Sequence, residues 1–214
     1  ISKADFIISV GGDGTALSAS HFLTRRPLLA VNSSPGKSEG ALTTLGLKDI
    51  NNKLREIVNG KYKVDKLERI EVFIDGKLQY PLALNEIFVA NKKAYLISKY
   101  VLRIKQNGKI WEEEQRSSGL IFSTGTGSTA WFRSAGGNPF ASSSKHIQMI
   151  VREPYHGKIN KFKILKARLN EKDFVEVIPL EKMILAIDSI REFLLTPKDK
   201  VLVRISDKPL LRIK

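Results

Sequence analysis

The sequence predicts an α/β + all-β protein: a partial parallel α/β layer followed by a β-sandwich. Three observations carry that prediction. Up to about residue 60, short apolar runs alternate with segments of helical period. Beyond it the apolar period becomes two, punctuated by Asp-Gly and Asn-Gly pairs. The charge changes in the same region: residues 1–50 carry a net +1, residues 51–150 a net +7 and residues 151–214 a net +6. The division is drawn at residues 1–62 for the α/β part and 63–214 for the β part, with the last strands free to pack back toward the first.

In chain order, Asp5–Val10 is a short apolar run closed by Gly11-Gly12, as expected of a buried parallel strand. Thr15–Arg26 places Ala16, Ala19 and Leu23 on one face of a helix, with Arg25 and Arg26 in its last turn and Pro27 as its stop. Leu28–Val31 is a second buried strand. Asp49 is the expected N-cap of a helix that turns Ile50, Leu54, Ile57 and Val58 inward and ends at Gly60. Ile70, Val72 and Ile74 then alternate up to Asp75-Gly76, and Leu78, Tyr80, Leu82 and Leu84 alternate on the return, which is a hairpin. Tyr100, Leu102 and Ile104 lead to Asn107-Gly108, a second one. Strand-like runs follow at 119–123, 146–151, 174–178, 183–187, 193–195 and 201–205, a spacing that suits a sandwich.

Composition removes several function classes. The 214 residues carry a formal net charge of +14 and no cysteine, which excludes a disulfide scaffold, an iron–sulfur cluster and a cysteine-ligated zinc. The three histidines, His21, His146 and His156, lack metal-ligand spacing on a helix. The charge invites a nucleic-acid reading, but no block of five like charges forms a basic tail.

Two glycine-rich segments carry chemistry. Gly11-Gly12-Asp13-Gly14-Thr15 joins a strand to a helix, where small residues admit an anion to backbone N–H groups. Asp13 is unexpected in a phosphate cradle unless it holds Mg²⁺ or accepts a proton from an attacking hydroxyl; the plainer reading is a helix cap. The loop lacks the Gly-Lys-Ser/Thr of a Walker motif, and its third glycine is misplaced for a dinucleotide fingerprint. The second segment, Ser123 to Trp131 and on to Ser134-Ala135-Gly136-Gly137, offers hydroxyls, glycines and a stacking ring to a phosphate or ribose. A flexible Ser/Thr/Gly loop is the alternative. Asn85-Glu86 closes the Leu78–Leu84 alternation and, by spacing alone, is a polar strand end. Glu112-Glu113-Glu114 is a solvated strand edge or turn.

Together Gly11–Thr15, Leu84-Asn85-Glu86, Thr126–Trp131 and Ser134–Gly137 resemble the NAD kinase family in order and approximate spacing. Asn32 through Pro35–Gly40, and Val151–Pro154, resemble its mitochondrial-type branch. The resemblance implies a partial Rossmann-like layer followed by that family's β-sandwich. It implies phosphoryl transfer from ATP, or polyphosphate, to the 2′-hydroxyl of the adenosine ribose of NAD. Asp13 would orient and deprotonate that hydroxyl, or hold it relative to Mg²⁺ arriving with ATP. The backbone of Gly11, Gly12, Gly14 and Thr15 would face phosphates. Asn85 and Glu86 would hold the ribose, Thr126, Thr129, Ala130 and Ser134 would line the nucleotide pocket, and Trp131 would pack where the family more often has Tyr. Arg116 would lie near the nucleotide or a partner subunit. The resemblance further implies a homodimer or homotetramer, no direct protein ligand to the metal, no specific nucleic acid and no membrane. The expected compartment is the cytoplasm, or the mitochondrial matrix after removal of a transit peptide.

Departures from the family pattern stand at Ser117-Ser118-Gly119 in place of Gly-Asp-Gly, at Ser38–Ala41 in place of Asn-Leu-Gly-Phe, and at Asp188-Ser189 in place of a late Asp-Gly. The chain opens without Met and with four residues before Asp5, so a fragment lacking an upstream α/β portion is expected. A lipid kinase sharing the glycine-aspartate loop, and an inactive nucleotide-binding or nucleic-acid-binding protein, are the alternatives.

Overall fold

The computed structural model describes residues 4–36, 40–157 and 161–214, so Lys37-Ser38-Glu39 of the Pro35–Gly40 stretch lies outside the described residues. The chain divides into two compact units. The first comprises residues 1–67 with the returning segment 208–214, and the second comprises Glu68–Asp207.

The elements in chain order begin with β1 (Ile7–Gly11), α1 (Asp13–Ser20), β2 (Leu28–Asn32), β3 (Leu45–Gly46), α2 (Ile50–Val58), β4 (Val64–Leu67), β5 (Ile70–Ile74) and β6 (Lys77–Ala83). They continue with β7 (Glu86–Ala90), β8 (Ser98–Gln106), β9 (Lys109–Ser117), β10 (Leu120–Ser123), α3 (Trp131–Ser134), β11 (Ile147–Val151) and β12 (Lys166–Leu169). The last are β13 (Phe174–Pro179), β14 (Met183–Ile187), β15 (Arg191–Leu195), β16 (Val201–Ile205) and β17 (Leu210–Ile213).

In the first unit β2 is the central strand, buried along its whole length, and pairs in parallel with β1, β3 and β17. The final strand β17 also pairs antiparallel with β4. This pairing sets the boundary at Leu67/Glu68 rather than 62/63 and adds residues 208–214 to the α/β unit. Ile50, Leu54 and Ile57 of α2 pack on Leu29, Val31 and Ile213. Val58 does not join them: at 85% exposure it points to solvent, because a helix turns only three of the four expected positions onto one sheet. Asp49 makes no side-chain cap, although Gly60 ends the helix with positive φ as expected.

Helix α1 is shorter than the apolar spacing predicts. It stops at Ser20, whose buried hydroxyl donates back to the Leu17 carbonyl at 2.7 Å, and the chain leaves through single turns at Phe22 and Leu23. Leu23 still reaches the core, but Arg25 and Arg26 lie beyond the last helical turn. Strand β1, expected to be buried, exposes Ile8 and Val10, because among the described residues it has one strand neighbour.

The second unit holds two six-stranded antiparallel sheets, ordered β12-β11-β10-β7-β14-β15 and β6-β5-β16-β13-β8-β9. Their facing sides make one core. Val72, Leu102, Val175 and Val203 come from one sheet, and Val89, Phe122, Met149 and Leu185 from the other. Asp75-Gly76 and Asn107-Gly108 are two-residue hairpin turns with positive φ at both positions, the geometry those dipeptides favour. The Glu112–Glu114 run lies within strand β9. Strands β4, β7, β12 and β17 were not expected from apolar period, since each is short or follows directly on another element. A smaller cluster of Ile121, Phe132 and Ile150, flanked by Phe88, Trp131 and Phe140, packs α3 on the outer face of the first-named sheet. Among the described residues no helix is long and apolar enough to cross a membrane.

Leu29→Ala is expected to destabilise by about 2–5 kcal/mol, because it empties a buried position, whereas Val58→Ala should change stability by less than about 0.5 kcal/mol. Urea denaturation of the two variants checks both values.

Candidate functional site

The first cluster lies wholly in the α/β unit. Gly12 is the N-cap of α1 in extended conformation, and its carbonyl takes the N–H of Thr15 at 3.0 Å. A Cβ on Gly11 would come within 2.3 Å of the Thr15 hydroxyl, so this turn needs glycine there; one on Gly14 would meet nothing within 4 Å. Asp13, the first helical residue, does not cap its own helix. Its carboxylate reaches across to the segment after Gly40. Oδ2 accepts the Ala41 N–H at 2.8 Å. Oδ1 accepts the Leu42 N–H at 2.9 Å, the Thr43 N–H at 3.0 Å and the Thr43 hydroxyl at 3.0 Å. Burial works to raise the Asp13 pKa, but the donors of Leu42, Ala41 and Thr43 together outweigh it and hold the carboxyl below its ordinary range. The group is therefore an anion, with Oδ1 saturated and one acceptor position of Oδ2 still open.

The second cluster lies in the β unit, where the chain crosses from β6 to β7. Asp188, only 2% exposed, accepts the N–H groups of Leu84 at 2.8 Å, Asn85 at 2.8 Å and Glu86 at 2.9 Å. The Thr124 hydroxyl donates to the Leu84 carbonyl at 2.6 Å and accepts the Gly127 N–H at 3.1 Å, while the Thr124 N–H donates to the Asn85 carbonyl at 3.0 Å. A Cβ on Gly127 would sit 2.2 Å from that Asn85 carbonyl oxygen, so glycine is required for this approach. Asn85, Glu86, Thr126 and Gly127 are thus assembled by two threads far apart in sequence.

Glu86 is 5% exposed. Burial, with the Asp188 charge adding to it and the Ser189 hydroxyl opposing, pushes its pKa up to about 7. Its Oε2 and the Thr126 Oγ1 are buried without a hydrogen-bond partner in the protein. Two such orphaned atoms beside one backbone crossing are the places where a ligand hydroxyl would supply the missing partners.

Beyond them the loop opens to solvent. Thr129, Ala130 and Ser134 are exposed, while Trp131 is half-buried with its ring 4.6 Å from that of Phe88. The Arg152 guanidinium lies over both rings, at 5.5 Å from Trp131 and 5.7 Å from Phe88. Ser128 ties the loop down, accepting the Phe140 N–H at 3.0 Å and reaching the Gly125 carbonyl at 2.8 Å, so the segment is a fixed loop rather than a linker. Arg116 stands apart, exposed on edge strand β9 of the opposite sheet, where its carbonyl accepts the Tyr155 N–H at 2.8 Å. A groove of about 540 Å³ lined by Asn91, Leu96, Met183 and Leu194 contains none of the motif residues.

Sequence reasoning placed Thr124 in the glycine-rich segment without giving it a partner, and it missed the role of Asp188. The signal for Asp188 was a lone acid closing the apolar run Met183–Ile187, but nothing local pairs it with residues about a hundred positions earlier.

Residues 1–62 match the sequence-family model described as the ATP-NAD kinase N-terminal domain, and residues 84–214 match the one described as the ATP-NAD kinase C-terminal domain. A probable NADH kinase of Oryza sativa subsp. japonica is 37% identical over 175 residues, covering 72% of this chain and 53% of that protein. The NAD kinase of Pyrococcus furiosus is 33% identical over 150 residues, covering 69% of this chain and 51% of that protein. The chain spans about half the length of these curated relatives. Among solved structures, an NAD kinase from Archaeoglobus fulgidus in complex with ATP aligns with a TM-score of 0.78 at 27% identity, over 98% of this chain and 78% of that one. A yeast NADH kinase complexed with NADH shares the fold, with a TM-score of 0.82 at 19% identity, over 98% of this chain and 62% of that one.

Glu86 rises from an unfolded value of 4.5 to about 7, so its stabilising share is full below 4.5 and is lost as pH rises through about 7. Urea titrations at pH 5 and pH 7.5 should show a drop of about 1–3 kcal/mol that Glu86→Gln removes. Asp188→Asn is expected to bring the Glu86 pKa down and to lower overall stability by about 2–4 kcal/mol, because three N–H groups exchange a charged acceptor for a neutral one.

Proposed function

The chain belongs to the NAD kinase family, and we propose that it transfers the γ-phosphoryl group of ATP to the 2′-hydroxyl of the adenosine ribose of a nicotinamide dinucleotide. The observation that carries this reading is the Asp13 carboxylate, ionised at the head of a helix behind a glycine turn, with one oxygen saturated and the other open. An open carboxylate acceptor of that kind receives a hydroxyl, and the surrounding backbone donors receive phosphate oxygens.

In this reading the 2′-hydroxyl donates to Asp13 Oδ2. Its oxygen attacks the γ-phosphorus, the bond to the β–γ bridging oxygen breaks, ADP leaves, and the proton passes to Asp13 or onward to water. A carboxylate held below its ordinary pKa is a weak base, so Asp13 serves chiefly to orient the nucleophile and takes the proton late. That suits a phosphoryl transfer whose transition state is loose. The backbone of Gly11, Gly12, Gly14 and Thr15 faces phosphates. Within the β unit, the orphaned Glu86 Oε2 and Thr126 Oγ1, with Asn85, offer hydrogen-bond partners to ribose hydroxyls. Thr129, Ala130 and Ser134 border the nucleotide, and Trp131 gives it a ring to lie against.

Among the described residues no group of three or more His, Asp or Glu is arranged to hold a metal ion. A divalent cation such as Mg²⁺ would accompany the ATP phosphates and neutralise part of their charge. Assembly as a dimer or tetramer, with Arg116 facing the nucleotide or a partner subunit, and a cytoplasmic or mitochondrial-matrix location belong to the same proposal and rest on the family resemblance.

The test is production of NADP or NADPH by the full-length protein from ATP, Mg²⁺ and NAD or NADH, read through an NADP-specific dehydrogenase; no product with either acceptor overturns the proposal. Asp13→Asn should lower kcat by about 10²- to 10⁴-fold while dinucleotide affinity stays within about threefold.

A further inference from the structure

We propose that Arg212, on the last strand of the chain, is a positioning residue for Asp13, acting through the two peptide groups that join residues 41, 42 and 43. The inference rests on the reading that Asp13 receives the acceptor hydroxyl. All of the residues involved belong to the α/β unit.

Arg212 is 7% exposed. Strand β17 sets it opposite Asp65 on β4 and opposite Leu28 on β2. Its Nη2 donates to Asp65 Oδ2 at 3.1 Å, an oxygen that also receives the Lys214 ammonium at 2.9 Å. Its Nη1 donates to the Ala41 carbonyl at 3.0 Å and, at the longer distance of 3.5 Å, to the Leu42 carbonyl.

The Ala41 carbonyl and the Leu42 N–H are two ends of one planar peptide group, and the Leu42 carbonyl and Thr43 N–H are two ends of the next. Arg212 therefore grips the oxygen end of each peptide, while Asp13 Oδ1 accepts from the nitrogen end of each. A planar amide held at its carbonyl cannot rotate its N–H away without breaking that contact. A cation on the carbonyl also polarises the amide and strengthens the hydrogen bond at the far end.

The guanidinium fork suits this task. Its two nitrogens point in fixed directions, one toward the loop carbonyls and one toward Asp65, which no ammonium reproduces. Asp65 and Lys214 stand behind Arg212 and fix its plane. Asp13 itself accepts from amides and one hydroxyl, and Arg212, Asp65 and Lys214 are charged groups that bear on it through the loop. The consequence is an Asp13 whose carboxyl plane, open Oδ2 position and ionised state are set by the end of the chain.

The experiment compares wild type with Arg212→Lys and Arg212→Met in the full-length protein. It reads kcat, KM for the dinucleotide and the acid limb of the kcat–pH profile, alongside a ¹³C NMR titration of the Asp13 carboxyl. Arg212→Met should lower kcat by about ten- to a hundredfold with KM changed less than about twofold. The Asp13 titration and the acid limb should both move to higher pH, and Arg212→Lys should recover only part of kcat. An unchanged Asp13 titration in a folded Arg212→Lys or Arg212→Met variant overturns the proposal, as does a loss confined to KM. If Arg212→Met does not fold, the Arg212→Lys titration decides alone. If wild type forms no product, the kinase reading fails, while the NMR titration still decides whether Arg212 controls Asp13.

Discussion

Where the chain leaves β6 for β7 it changes sheets within two residues, and three consecutive N–H groups at that crossing lose their ladder partners. Asp188 takes all three. A buried N–H without an acceptor costs about 1–3 kcal/mol, so this carboxylate allows the crossing to be so short. The short crossing in turn puts Asn85 and Glu86 at the mouth of the sheet rather than inside a longer loop. It also brings the Asn85 carbonyl against Gly127, and burial, with the Asp188 charge adding to it, holds Glu86 partly protonated near neutral pH.

The α/β unit uses the same device with different parts. Asp13 collects three consecutive N–H groups, those of Ala41, Leu42 and Thr43, and is itself kept ionised by them. In each unit an acid gathers a run of backbone donors from a distant segment, and a motif residue is placed as a result. The acids differ in what remains free. Asp188 is buried behind the chain it holds, while Asp13 keeps an open oxygen at a helix start, which is why chemistry is assigned to one and positioning to the other.

The charge of +14 first invites nucleic acid. Part of the basic complement is tied up on the open face of one sheet, where Arg103 bridges Glu112 and Glu176 and Arg204 meets Glu71. The remaining excess gives a positive field over a protein whose proposed substrates each carry several negative charges, and such a field raises their local concentration.

Read alone, the sequence determined the two-layer plan, the hairpins at Asp75-Gly76 and Asn107-Gly108, and the glycine-rich segments around Asp13 and Thr126. All of these are written in local period and turn chemistry, which neighbouring residues decide among themselves. It misjudged the end of α1, because Ser20 competes for its own helix backbone, and the orientation of Val58, because a helix face is chosen by what it packs on. The partners of Asp13, the grip of Asp188 on residues 84–86, the approach of Gly127 to Asn85 and the contacts that Arg212 makes from β17 came only with the tertiary structure. Each of these contacts joins segments about 30 to 170 positions apart, a separation at which sequence carries no geometric signal until strand pairing brings the ends together.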